Sequence, residues 1–200
     1  EDMVVTMTHF GYVKRLPKTT YRAQRRGGKG VIGATTREED FVEQMYVTST
    51  HDPIMFFTNR GRVYQLNCYE IPEAGRTARG TAIVNLLQLD PGEKVTVMLP
   101  LPMEKVEGHY LVMATKKGVI KRTALNEFVN LRKSGLIALV LREDDDLIGV
   151  ALTDGSYEML LGTRDGMAIR FPETDMRPMG RNAMGVKAIE LTDDDEVVDM

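Results

Sequence analysis

Tryptophan is absent from the 200 residues, cysteine occurs once, at Cys68, and aromatic side chains make up only 6%. A single cysteine excludes an internal disulfide and a cysteine-based metal site, and it makes a reducing, cytoplasmic setting the expectation. Long apolar runs are missing too. The stretch Ile137–Leu141 is strand-sized, far short of the roughly 18–20 residues of a helical membrane span. No charged-then-apolar leader opens the chain, and no starting Met does either, which points to a piece of a longer polypeptide. The three histidines, His9, His51 and His109, lie about one repeat apart. A zinc site wants much shorter ligand spacings, so they read as solvated turn residues. No grouping of acid, base and nucleophile stands out, and the expectation is no catalytic residue, no metal and no cofactor in this chain.

What the chain does have is repetition. The pattern of apolar strand, Thr-x-x-Gly and second apolar strand occurs as Val5–Lys14, Phe57–Tyr64, Ala114–Lys121 and Gly162–Arg170. Its glycines, Gly11, Gly61, Gly118 and Gly166, are 50, 57 and 48 residues apart. A glycine closing a tight turn between apolar residues is a hairpin signal. A second anchor follows each hairpin, at Gly30, Gly80, Gly135 and Gly185, which lie 19, 19, 17 and 19 residues further on. A third is an acidic turn before another apolar strand: Glu38-Glu39-Asp40, Asp90-Pro91-Gly92-Glu93, Asp144-Asp145-Asp146 and Asp193-Asp194-Asp195-Glu196.

A period near 50 residues with about four short strands predicts an all-β array of propeller-like, four-stranded blades. Approximate repeats fall at 1–50, 51–107, 108–155 and 156–200, within a single domain. A capping-box spacing at Thr36 and Glu39 favours a helix over Thr36–Glu43, but the repeat places an acidic turn and a strand there, and the repeat is preferred. Four blades are the lower limit for closure, and the end at Met200 falls just inside a strand. Further blades in the parent protein, or an open arc, are expected.

Charge is distributed unevenly. The whole chain carries a formal net charge of −3. Residues 9–30 nevertheless hold seven cations (Lys14, Arg15, Lys18, Arg22, Arg25, Arg26 and Lys29) and no Asp or Glu. At the centre is Gln24-Arg25-Arg26-Gly27-Gly28-Lys29-Gly30. Arg and Lys neutralise phosphates, and glycine lets backbone N–H groups come close to them. The later repeats add Arg60, Arg62, Arg76 and Arg79, then Lys116, Lys117, Lys121, Arg122, Arg132 and Lys133, then Arg164, Arg170, Arg177, Arg181 and Lys187. If the repeats are related by rotation, hairpin cations line one rim and acidic turns another. A basic stripe on an acidic protein is a footprint for a polyanion. Part of the enrichment also reads as protection of strand edges.

Two other motifs fail on context. Gly28-Lys29-Gly30-Val31-Ile32-Gly33 matches GxGxxG, but Gln24-Arg25-Arg26 precedes it where a dinucleotide site needs a strand. It fails as a phosphate-binding Walker loop too, with Gly30 where Ser or Thr should follow the lysine. Tyr12, Tyr21 and Tyr64 sit beside cations, and packing in strands is their commoner role.

The heptapeptide Gln24–Gly30 resembles the box of the gyrase A C-terminal domain family. Further likeness lies in Tyr21-Arg22-Ala23, Glu39-Asp40-Phe41-Val42, Thr50-His51-Asp52, Arg60–Tyr64, Ile83–Leu87, Leu147–Val150, Met179–Asn182 and Gly185-Val186. The resemblance implies a β-pinwheel, a propeller relative whose blades exchange strands and usually number six. It implies that the domain wraps duplex DNA around a basic rim so that an ATP-driven holoenzyme introduces negative supercoils. Arg25, Arg26 and Lys29 become the expected phosphate contacts, with Gln24, Gly27, Gly28 and Gly30 shaping the loop. Lys14, Arg15, Arg22, Arg60, Arg62, Arg76, Arg79, Lys116, Lys117, Lys121, Arg122, Arg132 and Lys133 complete the candidate DNA surface. Implied partners are double-stranded DNA, the N-terminal region of the same polypeptide and a B subunit in an A2B2 assembly in the bacterial cytoplasm, at the nucleoid, with no membrane. ATP, Mg2+ and the catalytic residues belong elsewhere in that assembly. Two alternatives stay open: a topoisomerase IV-type DNA-binding domain, or a protein-interaction propeller with an acidic partner.

Overall fold

The structure, a computed structural model, describes residues 1–20, 39–131 and 134–200. Fifteen strands are assigned among them. The first repeat contributes β1 (Asp2–Thr8), β2 (Tyr12–Pro17) and β3 (Val42–Ser49). Next come β4 (Pro53–Thr58), β5 (Arg62–Asn67), β6 (Thr81–Ala82) and β7 (Val95–Pro100), then β8 (Tyr110–Thr115), β9 (Val119–Ala124), β10 (Leu136–Ile137) and β11 (Leu147–Thr153). The last repeat gives β12 (Glu158–Thr163), β13 (Ala168–Pro172), β14 (Val186–Lys187) and β15 (Val197–Asp199). The capping-box signal does not prevail: from Glu39 the chain makes a bend and then β3.

All four hairpins close in the same way. The glycine N–H donates to the threonine carbonyl three residues earlier, at 3.0 Å for Gly11 and Gly61 and 3.1 Å for Gly118 and Gly166. The threonine hydroxyl oxygen accepts from the residue after the glycine: Tyr12 at 3.1 Å, Arg62 at 3.4 Å, Val119 at 3.1 Å and Met167 at 3.0 Å. The glycines hold φ between +76° and +89°, a region that costs an L-residue about 1–2 kcal/mol. These contacts account for both fixed letters of Thr-x-x-Gly.

The strands assemble into sheets of order β3-β1-β2-β6, β10-β5-β4-β7, β11-β8-β9-β14 and β13-β12-β15. The short strands β6, β10 and β14 follow the second-anchor glycines, and each pairs back onto the hairpin of the preceding repeat. Tyr12 faces Ala82, Val63 faces Leu136, and Ile120 faces Val186. Blades therefore exchange strands, as a β-pinwheel requires. The fourth sheet has three strands among the described residues.

Central strands β1, β4 and β8 are buried almost throughout, so they read as continuous apolar runs such as Ile54-Met55-Phe56-Phe57. Strand β12 alternates instead, burying Met159 and Leu161 and exposing Leu160. The chain divides into two compact units, residues 1–55, 65–91 and 98–101, and residues 56–64, 92–97 and 102–200. The first buries Met3, Val4, Val5, Val13, Leu16, Ile54 and Ile71. In the second, Val112, Ala114, Ile120, Met159, Leu161, Met176, Ile189 and Val197 form one cluster. Each fully buried Leu or Val contributes about 1.5–3 kcal/mol relative to exposure.

The acidic third anchor is structural. Asp40 accepts from the backbone N–H of Phe10 at 2.8 Å and of Phe41 at 3.0 Å through one carboxylate oxygen. Asp145 does the same with Lys117 and Asp146, both at 2.9 Å, and Asp195 with Asp165 at 3.0 Å and Glu196 at 2.8 Å. Each carboxylate pins the residue before a hairpin glycine to the strand that follows the acidic turn. In the second repeat the direction reverses: the Lys94 N–H donates to the Asn59 side chain at 2.8 Å, and the Thr58 hydroxyl donates to Glu93 at 2.7 Å. The recurrence of acids at these turns is thereby explained without acid–base chemistry.

Candidate nucleic-acid interface

Ten of the expected contact residues, Arg22, Gln24, Arg25, Arg26, Gly27, Gly28, Lys29, Gly30, Arg132 and Lys133, lie outside the described residues. The other ten divide by burial into those that present charge to solvent and those that do not.

In the first unit, Lys14 and Arg15 leave β2 for the same loop. The Lys14 ammonium donates to the carbonyls of Gly75 at 2.9 Å, Arg76 at 3.0 Å and Ala78 at 2.9 Å, and partial burial lowers its pKa. Arg15 donates through Nε to the Ile71 carbonyl at 2.6 Å and lies 3.6 Å from the Glu73 carboxylate. Arg76 and Arg79 are exposed on that loop, and the Arg79 guanidinium lies over the Tyr12 ring at 4.8 Å. Tyr12 thus supports a cation rather than standing as an independent contact.

In the second unit, Arg60 and Lys117 are exposed at hairpin tips, and Lys117 donates to the Glu143 carbonyl at 3.0 Å. Lys116 pairs with Glu196 at 3.3 Å. Arg62 is half-buried; it lies 3.7 Å from Glu93, donates to the Ser134 carbonyl at 3.2 Å and stacks on Tyr64 at 5.2 Å. Tyr64 itself is buried and donates to Glu93 at 3.0 Å.

Lys121 and Arg122 are not surface cations, and their expected place on a DNA surface does not hold. Lys121 is 1% exposed. Its ammonium donates to the carbonyls of Ala138 at 2.5 Å, Gly180 and Arg181 at 2.9 Å, and Ala183 at 3.2 Å. Burial lowers its pKa to about 8, with the Glu127 carboxylate opposing and the Arg181 charge adding. Arg122 lies 3.3 Å from Glu173 and 4.5 Å over the Tyr110 ring. Glu173 is fully buried and also accepts from the Thr153 hydroxyl and the Tyr157 N–H, both at 2.8 Å. A cation inside a strand signals an outward position by composition alone, whereas β9 is buried on every residue from Val119 to Thr123.

Nor are basic and acidic turns segregated in this unit. A cleft of about 490 Å³ is lined by Lys116, Lys117, Arg142 and Lys187 together with six carboxylates, among them Asp145 and Asp195. That balance disfavours a polyanion there. In the fourth repeat Arg164 lies 3.7 Å from Glu196, Lys187 lies 3.4 Å from Glu190, and Arg170 pairs with Glu158. Arg177 is exposed. Among the described residues, the loop at 74–80 exposes two cations, Arg76 and Arg79, close together in sequence.

A model of the DNA gyrase C-terminal domain, a beta-propeller, matches residues 2–49, 52–102, 109–154 and 157–200. The DNA gyrase A protein of Clostridium acetobutylicum is 54% identical over 187 residues, 94% of this chain and 22% of that relative. The gyrase A protein of Staphylococcus aureus is 50% identical over 198 residues, 99% of this chain and 22% of the relative. The chain therefore spans under a quarter of the length of these relatives. Among solved structures, the C-terminal domain of DNA topoisomerase IV aligns with TM-score 0.83 at 30% identity, covering 99% of this chain and 60% of that one. The DNA gyrase A C-terminal domain aligns with TM-score 0.70 at 26% identity, covering 99% and 64%. Strand exchange, four matched repeats and these identities lead to one conclusion: the chain belongs to the DNA gyrase C-terminal domain family.

Proposed function

We propose that this chain binds duplex DNA and wraps it, as the C-terminal part of a gyrase A protein. The observation that carries this reading is the intact heptapeptide Gln24–Gly30 in a chain of the gyrase C-terminal domain family. The exposed Arg76 and Arg79, in the equivalent loop of the second repeat, support it. The phosphate backbone is the target, so binding tolerates sequence, because phosphate contacts position a duplex without reading it. Bending costs about 1–6 kcal/mol for a moderate turn, offset by contacts spread over several repeats.

On this reading the domain works within a type IIA topoisomerase. The gyrase A protein joins a B subunit in an A2B2 holoenzyme in the bacterial cytoplasm, and wrapping presents a downstream segment for ATP-driven passage that leaves negative supercoils. The catalytic residues, ATP and Mg2+ are assigned to other parts of that assembly, and this chain is assigned no cofactor. A topoisomerase IV-type domain is the second reading, favoured by the TM-score of 0.83; such a domain binds DNA without wrapping it chirally.

Binding to a short linear duplex tests the first step. The logarithm of affinity should fall steeply with the logarithm of salt, at about 0.9 per phosphate neutralised. Neutralising Arg25, Arg26 and Lys29 together should reduce that slope by about 2–3. An unchanged slope removes the heptapeptide as the phosphate site.

A further inference from the structure

Two loops of this chain are built alike, each around a lysine of the preceding repeat. They read Ala74-Gly75-Arg76-Thr77-Ala78-Arg79-Gly80 and Met179-Gly180-Arg181-Asn182-Ala183-Met184-Gly185. Both lysines, Lys14 and Lys121, stand three residues after a hairpin glycine. Lys14 donates to the second, third and fifth carbonyls of its loop, at Gly75, Arg76 and Ala78, and Lys121 to the same three, at Gly180, Arg181 and Ala183.

The remaining contacts coincide as well. The first N–H of each loop donates to the residue after the lysine, Ala74 to Arg15 at 3.1 Å and Met179 to Arg122 at 2.7 Å. Inside each loop the fifth residue donates to the second carbonyl at 3.2 Å. Each loop ends on a positive-φ glycine pressed against the lysine's strand. A Cβ on Gly80 would meet the Val13 carbonyl oxygen at 2.6 Å, and one on Gly185 the Ile120 oxygen at 2.4 Å.

A lysine ammonium has three N–H donors, and in Lys14 three carbonyls take them. It has none left for a phosphate, and the carbonyl dipoles around it offset its charge. The exposed polar side chains on its loop are Arg76, Thr77 and Arg79. Arg79 is further steadied over Tyr12.

We propose that Lys14 is a positioning residue for DNA: it folds the loop at 74–80 so that Arg76 and Arg79 form a phosphate-contact site outside the heptapeptide. This rests on the DNA-binding reading above. The lysine acts from within, and the two arginines touch the backbone of the duplex.

A double-mutant cycle on the 200-residue chain tests it, read as affinity and salt slope on a short linear duplex. Arg76→Ala/Arg79→Ala should weaken binding and reduce the salt slope by about 2. Lys14→Met should produce most of that loss alone, and should cost nothing further in the double-arginine background. A purely structural lysine would lower the melting temperature without this coupling. Additive losses, with Lys14→Met removing about one unit of slope in either background, would make Lys14 a direct contact and overturn the proposal. Unchanged binding on Lys14→Met would overturn it as well. If the methionine variant does not fold, Lys14→Gln takes its place in the same cycle. Absence of any DNA binding by the wild-type chain would sink the functional reading itself, an outcome distinct from additivity.

Discussion

Asp195 accepts from two backbone N–H groups, Asp165 at the turn between β12 and β13 and Glu196 just before β15. Burial opposes its ionisation, but hydrogen bonds from Thr163, Asp165 and Glu196 and the Arg164 charge outweigh it, so its pKa lies below the usual carboxylate value. The folded chain therefore holds the ionised form more strongly than the unfolded chain. The resulting stability is fully present above about pH 4 and is lost as the pH falls through the lowered folded-state value. Asp195→Ala should destabilise the chain, since two backbone donors lose their acceptor. Asp195→Asn should cost less near neutral pH, because an amide oxygen still accepts. Urea unfolding at pH 7 and pH 3 checks both parts: the advantage of wild type over Asp195→Asn should shrink at the lower pH. An advantage independent of pH would show that the charge contributes nothing.

At the scale of elements, the glycines separate into two kinds. Gly166 at its hairpin tip has φ +89° and open space around a hypothetical Cβ, whereas Gly185 adds a backbone clash to its φ of +86°. Gly166→Ala should cost about 1–2 kcal/mol from backbone strain alone. Gly185→Ala should cost more, because β14 must also shift away from β9. Thermal melts of the two variants give the order directly; equal losses would mean that the close approach of the donated strand is not held in solution. The hairpins and acidic turns were legible in the sequence because each hairpin rests on a fixed threonine and glycine and three of the four acidic turns on one fixed aspartate. Strand exchange was implied only by the family resemblance and not by the residues themselves, because β6, β10 and β14 are two residues long and carry no periodicity of their own. The burial of Lys121 was hidden for a related reason. The carbonyls that hold it come from residues 138–183, and nothing local in β9 announces them.

For the molecule as a whole, charge placement matters more than charge total. A chain of net charge −3 binds a polyanion only where its cations are left facing water, and the structure has withdrawn several from that role. Lys121 and Arg122 are buried, and Lys116, Arg164, Arg170 and Lys187 sit beside carboxylates. Exposed ion pairs of this kind contribute about 0–1 kcal/mol to stability, but they lower the local positive potential. Neutralising Arg170 or Lys187 should therefore leave the salt slope of DNA binding nearly unchanged, while neutralising Arg76 and Arg79 should reduce it.

The central claim, that this chain wraps DNA with a fixed handedness, is tested most directly by topology. Nicked circular DNA is closed with ligase in the presence of the chain, the protein is removed, and the linking-number distribution is read on a gel. The account predicts a shift toward positive writhe that grows with protein concentration and disappears when Arg25, Arg26 and Lys29 are neutralised. Tight binding with no shift in linking number would contradict it.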